Sequence, residues 1–567
     1  MRSVEKPAAS RRTVEGSDER SGSWVYGLLA VLLLPVSVAL TDPPFIGDSF
    51  DYCLDIARVL QHTQPPSTLW EAGHILWRPL GYVLSPVFRA SVPDLVAWTP
   101  ALKIGYGLLL LNLLCGMLSA FLIFDLCRRR MGSPRAAMIP VCLFVWGDAV
   151  LAYSQSSTSY PVGFLFLMIG LWWQLDSRPP RFGPPILFGL AALFWLPYVV
   201  AIPAACFTAK LLGRSEDVRD GVTWSRILEA FVISGAVITV GVGLSSILAG
   251  VRSLPQFAAW LVSSGHGMHQ TRQGIRAITG SARLFLDLGN DNVYMKRFLF
   301  HDPYHPVNAL GALARSLGKP ICFYLFLAAA LLPAWFRASG RRALVLLAMA
   351  ALPALFAAIF VFEPSSPERL LPVLPFLLLT LATGWNSPWR FTRPARLVVL
   401  VFALLLPVVN AFTFVDAFSG WRKHVAAEVE EFRANASPND AFLGIVPAEA
   451  LLHLPTDHRF DSLNRPDYID GVSAVNLMDV NAQRWPSRVA KFVLGNWERG
   501  KAVWTEKAAL SDTPPEQLLW VEGDNPTVHW RDINSFFRKL EFDKASARFL
   551  RIARTPVNER LFRDLAN

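Results

Sequence analysis

Charged residues are the class that this sequence has least of. They make up 17% of its 567 positions, whereas about a quarter of a soluble domain is charged. Hydrophobic residues account for 53%, and the chain contains 38 Phe and 19 Trp, whose rings are common in lipid and at its interfaces. This balance excludes an ordinary soluble domain and predicts a polytopic α-helical membrane protein.

Cysteine is also scarce, with six residues in the chain. Five of them lie within apolar runs or at the end of one: Cys115, Cys127, Cys142, Cys206 and Cys322. Only Cys53 lies in a polar segment beyond the first run, so the sequence indicates no disulfide framework.

The apolar residues are concentrated in runs, most of which have the roughly 17–25 residues that a helix needs to cross a bilayer. The first run, 24–40, lacks a small-residue cleavage site and is interpreted as a retained anchor. Residues 1–23 predict a flexible cytoplasmic tail, and the composition becomes mixed after Val415. The later runs lie near 101–126, 136–152, 160–175, 185–212, 227–251, 320–336, 343–362, 370–384 and 397–414.

The run at 185–212 decides the predicted orientation. It is too long for one span and short for two, and Pro197 near its middle breaks or kinks a helix. A hairpin here places all the main arginine clusters on one side of the membrane, whereas a single span divides them. Because Lys and Arg collect on the cytoplasmic side, the hairpin is favoured. The clusters comprise Arg128, Arg129, Arg130, Arg214, Arg337, Arg341, Arg342, Arg390, Arg393 and Arg396.

This orientation gives about eleven spans within a transmembrane domain at 24–416, with a cytoplasmic N-terminus and an extracytoplasmic C-terminus. The outside face then carries loops at 41–99 and 252–317 and a soluble domain at 417–567. The net charge of +10 is largely an orientation signal, so no nucleic-acid partner is predicted.

The C-terminal domain is predicted to be a small α/β domain. "HVAAEVEEFRANA" is helix-like, and "AFLGIVP" and "AVWTE" are strand-like. A further helix is predicted for "INSFFRKLEFDKASARFLRIA".

The first outside loop opens with "TDPPFIGDSFDYCLDIARVL", residues 41–60. Asp48 and Asp51 come a few residues after the first span, at headgroup depth. Asp48 and Tyr52 share one face if "DSFDYCLDIARVL" is helical, and its apolar positions suit an interfacial helix. The alternative is that Asp48 only caps this helix, since "GDSF" is good N-cap chemistry.

A second amphipathic piece follows in the same loop. "EAGHILWRPLGYVLSPVF", residues 71–88, carries Glu71, His74 and Arg78 before a proline. An acid on the first helix and a basic residue before Pro on the second resemble the GT-C membrane glycosyltransferases, particularly the branch of protein O-mannosyltransferases and lipid A aminoarabinose transferases. In that branch the loop carries an Asp-Glu pair, a Tyr three residues after the Glu, and a basic residue followed by Pro.

The match runs through Asp48, Tyr52 and the Arg78-Pro79-Leu80 segment with Tyr82. Ser49 replaces the Glu of the pair, which leaves open whether Asp51 supplies a second carboxylate. The hairpin "FGLAALFWLPYVVAIPAACF" and the segment "SPERLLPVLPFLLL", which carries Glu368 and Arg369, also resemble this family. The resemblance covers roughly residues 24–416, and the C-terminal domain has no part in it.

The resemblance implies transfer of a sugar from a polyprenyl-phosphate donor to a glycan, glycolipid or protein acceptor at the outer face of a bacterial inner or plasma membrane. The residues support such chemistry, because a carboxylate that takes the acceptor's proton accelerates attack by about 10²–10⁴-fold. Asp48 is the predicted base, with Asp51 as its alternative or orienting partner. Attack opposite the lipid phosphate inverts the anomeric centre.

The departing phosphate requires cations, and arginine suits this role through its bidentate geometry. Arg78 and Arg369 are the predicted phosphate ligands, with Lys296 and Arg297 as further candidates. Each has an alternative: Arg78 snorkels to the interface, Arg369 pairs with Glu368 or caps its span, and Lys296 and Arg297 are exposed loop cations. Tyr52, Glu71, His74 and Glu368 complete the predicted site.

No cofactor is predicted, and assistance by a divalent metal is left open. His266 and His269 have a spacing of three but no second ligand pair nearby, and "FHDPYHP", 300–306, is interpreted as a structured loop. Two other functions compete with transfer. A transporter or lipid flippase is disfavoured because no internal repeat is evident and ionisable residues are scarce within the spans. A non-catalytic relative acting as an assembly subunit is kept open by Ser49.

Overall fold

The computed structural model describes residues 18–41, 49–91, 100–176, 180–213, 219, 221–263, 274–288, 291–361, 366–437, 440–444, 471–473, 485–516, 521 and 529–566. Asp48, His266 and His269 lie outside the described residues. Asp51 belongs to a described helix, but its side chain is not described.

The first 263 residues contain eleven described α-helices. These are α1 (Asp18–Leu40), α2 (Ser49–Leu60), α3 (Trp77–Ser91), α4 (Pro100–Met131), α5 (Pro134–Val145), α6 (Asp148–Ser154), α7 (Tyr160–Gln174), α8 (Gly183–Phe194), α9 (Ile202–Leu212), α10 (Trp224–Leu248) and α11 (Leu254–Ser263). Short 3₁₀ turns at Pro66–Leu69 and Leu196–Ala201 precede α3 and α9.

The next part of the chain adds seven helices. They are α12 (Gly274–Ala282), α13 (Asp291–Leu299), α14 (Ala309–Ala312), α15 (Gly318–Trp335), α16 (Ala338–Phe360), α17 (Leu374–Gly384) and α18 (Thr392–Asn435). A π-helical turn at Leu313–Leu317 joins α14 to α15, and a 3₁₀ helix at Pro367–Val373 leads into α17.

Six stretches of helix are long and apolar enough to cross a membrane: Ser23–Leu40, Lys103–Met131, Trp224–Leu248, Ala309–Trp335, Ala338–Phe360 and Thr392–Thr413. The pair α5 and α6, bent by 66° at its break, makes a seventh if it is one span. The helical membrane architecture predicted from composition is therefore confirmed. The count of eleven stays a prediction, because α7, α8 and α9 are shorter than a full span.

The segment with Pro197 reverses the direction of the chain. α8 begins beside the end of α7, where a Cβ on Gly183 would lie 2.8 Å from the Trp173 ring. α9 ends at Leu212, whose carbonyl accepts a hydrogen bond from Arg130 at the end of α4. Trp172 on α7 also reaches that end of α4, through a 2.8 Å hydrogen bond to Asp125. Both ends of the hairpin therefore lie at one end of the bundle, as the proline break predicts.

The segments predicted to lie outside contact one another at the other end. The Trp260 indole N–H on α11 donates to the Trp70 carbonyl, 2.9 Å away, which joins the second loop to the first. His305 Nε2 lies 2.9 Å from the Pro514 carbonyl oxygen, which joins the second loop to the C-terminal part. The grouping of these three segments on one side agrees with the predicted topology, and their assignment to the outside of the cell stays a prediction.

The "FHDPYHP" segment is a turn in which Asp302 makes polar contacts. Asp302 accepts a 3.0 Å hydrogen bond from the Tyr304 backbone N–H and lies 3.5 Å from Arg297. His301 adopts a φ of 51°, a left-handed conformation that histidine adopts more readily than most residues. The predicted structured loop is present.

The C-terminal part contains a five-stranded sheet of order β2-β1-β3-β5-β4. The strands are β1 (Ala441–Gly444), β2 (Gly471–Ser473), β3 (Val503–Glu506), β4 (Phe542–Ala545) and β5 (Phe549–Ile552), with helices α19 (Trp485–Glu498), α20 (Trp530–Phe537) and α21 (Pro556–Ala566). β1 is parallel to β2 and β3, whereas β5 is antiparallel to β3 and β4. The predicted strands at "AFLGIVP" and "AVWTE" are present as β1 and β3.

The long helix predicted from "INSFFRKLEFDKASARFLRIA" is wrong beyond Phe537. The chain there forms the hairpin β4–β5, in which Asp543 and Arg551 are paired at 2.7 Å. Phe549 and Ile552 become buried when β5 pairs with β3. Lys, Ala and Arg favour a helix locally, but this distant pairing outweighs their propensity.

Candidate active site at the loop-bearing end of the bundle

The first loop folds because α2 is amphipathic. Tyr52, Cys53, Ile56 and Ala57 lie on one helical face and are buried, in an apolar cluster shared with α4. The helix predicted for this segment is present. The predicted facing of Asp48 and Tyr52 involves a residue outside the described ranges and stays a prediction, as does the role of Asp51.

Arg78 is held by the loop itself. Its guanidinium lies 3.2 Å from Asp55 and 3.1 Å from Glu71, and it donates to the Thr68 carbonyl at 3.1 Å. We call Asp55, Glu71 and Arg78 the loop 1 cluster. Only 12% of the Arg78 side chain is exposed, which disfavours the alternative that it snorkels to the interface. This arginine ties α2 to α3, and any ligand phosphate has to compete with two carboxylates.

His74 links the loop 1 cluster to the interior of the bundle. Its Nδ1 lies 3.1 Å from the Tyr52 hydroxyl and 3.7 Å from Glu71 Oε2. Its ring is 5.9 Å from the ring of Tyr160, the first residue of α7. Four predicted site residues, Tyr52, Glu71, His74 and Arg78, are therefore in one network.

Glu368 and Arg369 are in the 3₁₀ helix before α17, where the closely spaced prolines prevent a regular α-helical start. Glu368 is buried and accepts a hydrogen bond from the Tyr153 hydroxyl. The alternative that Glu368 and Arg369 pair with each other is present but loose, with Arg369 Nε 3.8 Å from Glu368 Oε1. The Arg369 guanidinium lies over the Trp195 ring, 5.8 Å from its centroid.

Sequence reasoning missed the aromatic residues that connect these parts. Tyr160 packs 4.7 Å from Tyr153 and 4.7 Å from Trp195 between ring centroids, and it also touches His74. The first loop is thereby joined to Glu368 and Arg369. Aromatic residues inside apolar runs are ordinary in a membrane protein, so no local signal distinguished these three.

A second group of charged residues was also missed. Asp148 is buried at the first turn of α6, and Arg283, Asp287, Lys319 and Glu368 lie within electrostatic range of it. Its backbone N–H donates to the Phe285 carbonyl at 3.1 Å. The signal that could have found it is Gly147-Asp148, which interrupts the apolar run 136–152.

Arg297 is joined to a different part of the molecule. Arg297 is buried, with 3.5 Å contacts to Asp302 and to Glu516 of the C-terminal part. The alternative of an exposed loop cation is therefore wrong for Arg297, whereas Lys296 is half-buried. The described ion pairs of Arg297 connect the second loop to the C-terminal part, and its role as a phosphate ligand stays a prediction.

The described residues contain no group of three or more His, Cys, Asp or Glu side chains placed to hold a metal ion. The charged side chains instead form a layer with both signs, close to aromatic rings. A charged group at the centre of a bilayer costs about 3 kcal/mol, so such a layer is expected where the protein handles a polar ligand. The arrangement can bind an anionic group between arginine and aromatic side chains.

Comparisons with solved structures retrieve membrane glycosyltransferases. The chain is similar to ArnT from Cupriavidus metallidurans in the apo state, with 12% identity, a TM-score of 0.48 and coverage of 96% of this chain and 99% of that one. The same enzyme bound to undecaprenyl phosphate matches with 13% identity, coverage of 95% and 99% and a TM-score of 0.46. An Archaeoglobus fulgidus oligosaccharyltransferase matches with 13% identity, coverage of 90% and 72% and a TM-score of 0.45.

These proteins have the GT-C fold, the fold of the family that the motifs resemble. No protein-family model matches the sequence, and no curated protein matches it either. Because the identities are low and the TM-scores lie below 0.5, the functional proposal rests on this chain's own residues.

Proposed function

We propose that this protein is an inverting glycosyltransferase that moves a sugar from a polyprenyl-phosphate donor to an acceptor at the outer face of the membrane. The observation that carries the proposal is the layer of charged and aromatic side chains at the loop-bearing end of the bundle. It joins the first loop to Glu368 and Arg369 through His74, Tyr160 and Trp195. A lipid-linked donor presents its phosphate and sugar at the membrane surface, where charged and aromatic side chains can contact them.

In this proposal a carboxylate of the first loop is the base. Asp48 takes the proton of the acceptor hydroxyl, the oxygen attacks the anomeric carbon, and the bond from that carbon to the phosphate oxygen breaks. The polyprenyl phosphate leaves with the bonding electrons. Asp51 is the alternative base or the partner that orients Asp48.

Arg369 is the favoured ligand for the departing phosphate. Its guanidinium lies over the Trp195 ring, 5.8 Å from the ring centroid, where the aromatic contacts that begin in the first loop end. Arg78 contacts two carboxylates, at 3.1 and 3.2 Å. Arg78 therefore contributes to phosphate binding only if it releases one carboxylate, and otherwise holds Tyr52 and His74 in place. Lys296 and Arg297 are further candidate ligands for the lipid phosphate, and Arg297 already contacts Asp302 and Glu516 at 3.5 Å.

The experiment replaces the proposed base without changing side-chain size. Asp48→Asn is compared with the wild-type chain and with Asp42→Asn, which removes a carboxylate from the same segment. Cell-envelope glycans and glycoproteins are measured by mass spectrometry in cells lacking the protein and in cells carrying each variant. We expect one sugar residue to be lost without the protein and with Asp48→Asn, and retained with Asp42→Asn.

If Asp48→Asn restored the sugar residue fully, Asp48 would not be the base. If Asp51→Asn restored it as well, neither proposed carboxylate of the first loop would be the base. A non-catalytic subunit or a flippase would then be the better account. The membrane abundance of each variant is measured alongside, so that a loss of protein is not mistaken for a loss of chemistry.

A further inference from the structure

Six arginines at the end of the bundle away from the first loop have no carboxylate partner among the described residues. They lie in or just after the turns before α16 and α18, and we call them the arginine patch: Arg337, Arg341, Arg342, Arg390, Arg393 and Arg396. The sequence contains no Asp or Glu at 318–362 or 370–415, so the helices that carry the patch supply no acid within the membrane or at this end.

The carboxylates of neighbouring helices at this end are paired with other arginines. Asp125 lies 2.8 Å from Arg128, and Asp176 lies 3.9 Å from Arg129. Glu229 lies 2.8 Å from Arg181. The positive charge of the arginine patch is therefore not offset by these three acids.

The two turns that carry the arginine patch pack on each other. Phe336, between α15 and α16, stacks on Trp389, between α17 and α18, with ring centroids 5.0 Å apart and an angle of 4° between the planes. Arg337 donates to the Thr383 carbonyl near the end of α17, at 3.4 Å. The patch is therefore one surface, although its two halves are far apart in the sequence.

A groove between α15, α17 and α18 adjoins the arginine patch. Its walls are mainly apolar and include Pro333, Leu381 and Val399, with Arg396 also at its lining. The Arg396 guanidinium lies over the Trp385 ring, 5.3 Å from the ring centroid, and its Nε donates to the Trp385 carbonyl at 2.7 Å. A fixed positive charge thus lies beside an apolar channel, which matches a phospholipid whose phosphate adjoins an acyl chain.

Exposed aromatic rings place the arginine patch at the membrane surface. Trp335 and Phe391, which flank it, are 61% and 46% exposed. Aromatic residues exposed at the ends of membrane spans collect at the level of the lipid headgroups. The guanidinium groups therefore lie at the depth of the phosphates of one leaflet.

The orientation of the protein does not account for this arrangement. The rule that places Lys and Arg on the cytoplasmic side counts these residues and makes no demand on their partners. Like charges that lack a carboxylate repel one another, and an anion that approaches them is attracted by each. Phosphate oxygens suit arginine in particular, because one guanidinium can donate two parallel N–H groups to them.

We propose that the arginine patch and the adjoining groove bind an anionic phospholipid in the leaflet at the end of the bundle away from the candidate active site. The lipid phosphate contacts the guanidinium groups, and one acyl chain lies along the groove. This site shares no residue with the proposed donor site. The inference therefore goes beyond the proposed function and is tested independently of it.

The test measures lipid binding to the purified full-length protein by native mass spectrometry. The probes are phosphatidylglycerol and phosphatidylcholine with identical acyl chains. The wild type should bind phosphatidylglycerol more tightly, because the choline group of the other lipid cancels the phosphate charge. Arg390→Gln and Arg396→Gln should each weaken binding of phosphatidylglycerol about fivefold, the effect of one basic residue near an anionic lipid. Binding of phosphatidylcholine should not change.

Arg181→Gln is the matched control. Arg181 lies at the same end of the bundle and over the ring of the next residue, Phe182, at 5.1 Å, as Arg390 lies over Phe391 at 4.6 Å. Both substitutions remove one positive charge, but Arg181 has a carboxylate partner, Glu229. Binding of phosphatidylglycerol should therefore be unchanged in Arg181→Gln.

Three results would overturn the proposal. The first is equal affinity of the wild type for the two lipids. The second is equal weakening in Arg390→Gln and Arg181→Gln, which would mean that only the number of positive charges matters. The third is displacement of phosphatidylglycerol by an equal concentration of inorganic phosphate, which would make this a site for a free anion. None of these results bears on sugar transfer, which is tested through Asp48→Asn.

Discussion

Among the described ion pairs, Arg78 is the one cation that contacts both carboxylates of the loop 1 cluster. The substitution Arg78→Met removes it. Met retains much of the volume of the side chain but leaves Glu71 buried without its 3.1 Å partner. It also removes the hydrogen bond to the Thr68 carbonyl. We expect α2 and α3 to separate more readily as a result.

The size of the expected destabilisation follows from how deeply the two carboxylates are buried. Removing one partner of a buried ion pair costs about 3–5 kcal/mol. Asp55 keeps Arg58 at 3.5 Å and is 19% exposed, whereas the Glu71 side chain is 7% exposed. Most of the cost therefore comes from Glu71, and the lower end of the range, about 3 kcal/mol, is expected. This corresponds to roughly a hundredfold increase in local opening.

Hydrogen exchange of residues 49–91, followed by mass spectrometry on the purified protein, measures that opening. Arg58→Met is the matched control, because Arg58 pairs with the same Asp55 but is 40% exposed. Such a surface pair contributes less than about 1 kcal/mol. Adding Glu71→Gln to Arg78→Met should recover part of the protection, since it removes the buried charge that has lost its contact with Arg78. Equal exchange in Arg78→Met and Arg58→Met would refute the buried-pair reasoning.

Two further predictions concern residues of α18. Burial raises the pKa of the Glu431 carboxyl, but hydrogen bonds from the Ser546 hydroxyl and the Arg548 N–H outweigh it, so the pKa lies below its usual value. The stability from this contact is present above the unfolded pKa of about 4.3 and is lost as the pH falls through the folded pKa. Proteolysis of the β4–β5 turn should therefore accelerate on acidification in the wild type and depend less on pH in Glu431→Gln. Asn410→Leu should lower the free energy of unfolding by about 2–4 kcal/mol, because Asn410 donates to the Trp146 and Phe285 carbonyls at 2.6 Å each. Thermal unfolding in detergent should show a smaller loss for Asn386→Leu, whose amide donates to a single carbonyl, that of Met131.

Several parts of the fold follow directly from local sequence. The apolar runs predict the long helices, Pro197 predicts the reversal between α8 and α9, and the amphipathic pattern after Ser49 predicts α2. Each of these features depends on residues that are close together in the sequence, within about one helical turn or one apolar run, so a sequence pattern can predict it. The hairpin β4–β5 was missed because its pairing with β3 depends on residues about 50 positions away.

The candidate site divides in the same way. Tyr52, Glu71, His74 and Arg78 are within one loop, and their proximity could be expected from the sequence. The packing of Tyr153, Tyr160 and Trp195 against one another could not be expected from the sequence. Aromatic residues in apolar runs follow the same sequence pattern whether they face lipid, the protein core or a ligand.

Hydrophobicity and charge by themselves determined that this chain is a helical membrane protein with acidic and basic residues at one end of its spans. Which helix ends meet, and hence that Glu368 is shared by Tyr153 and Arg369, was decided only by tertiary packing. The physical reason is that burial in a bilayer constrains each helix separately through its own composition. The contacts between helices depend on side-chain shape and on hydrogen bonds between residues as far apart as 264 positions.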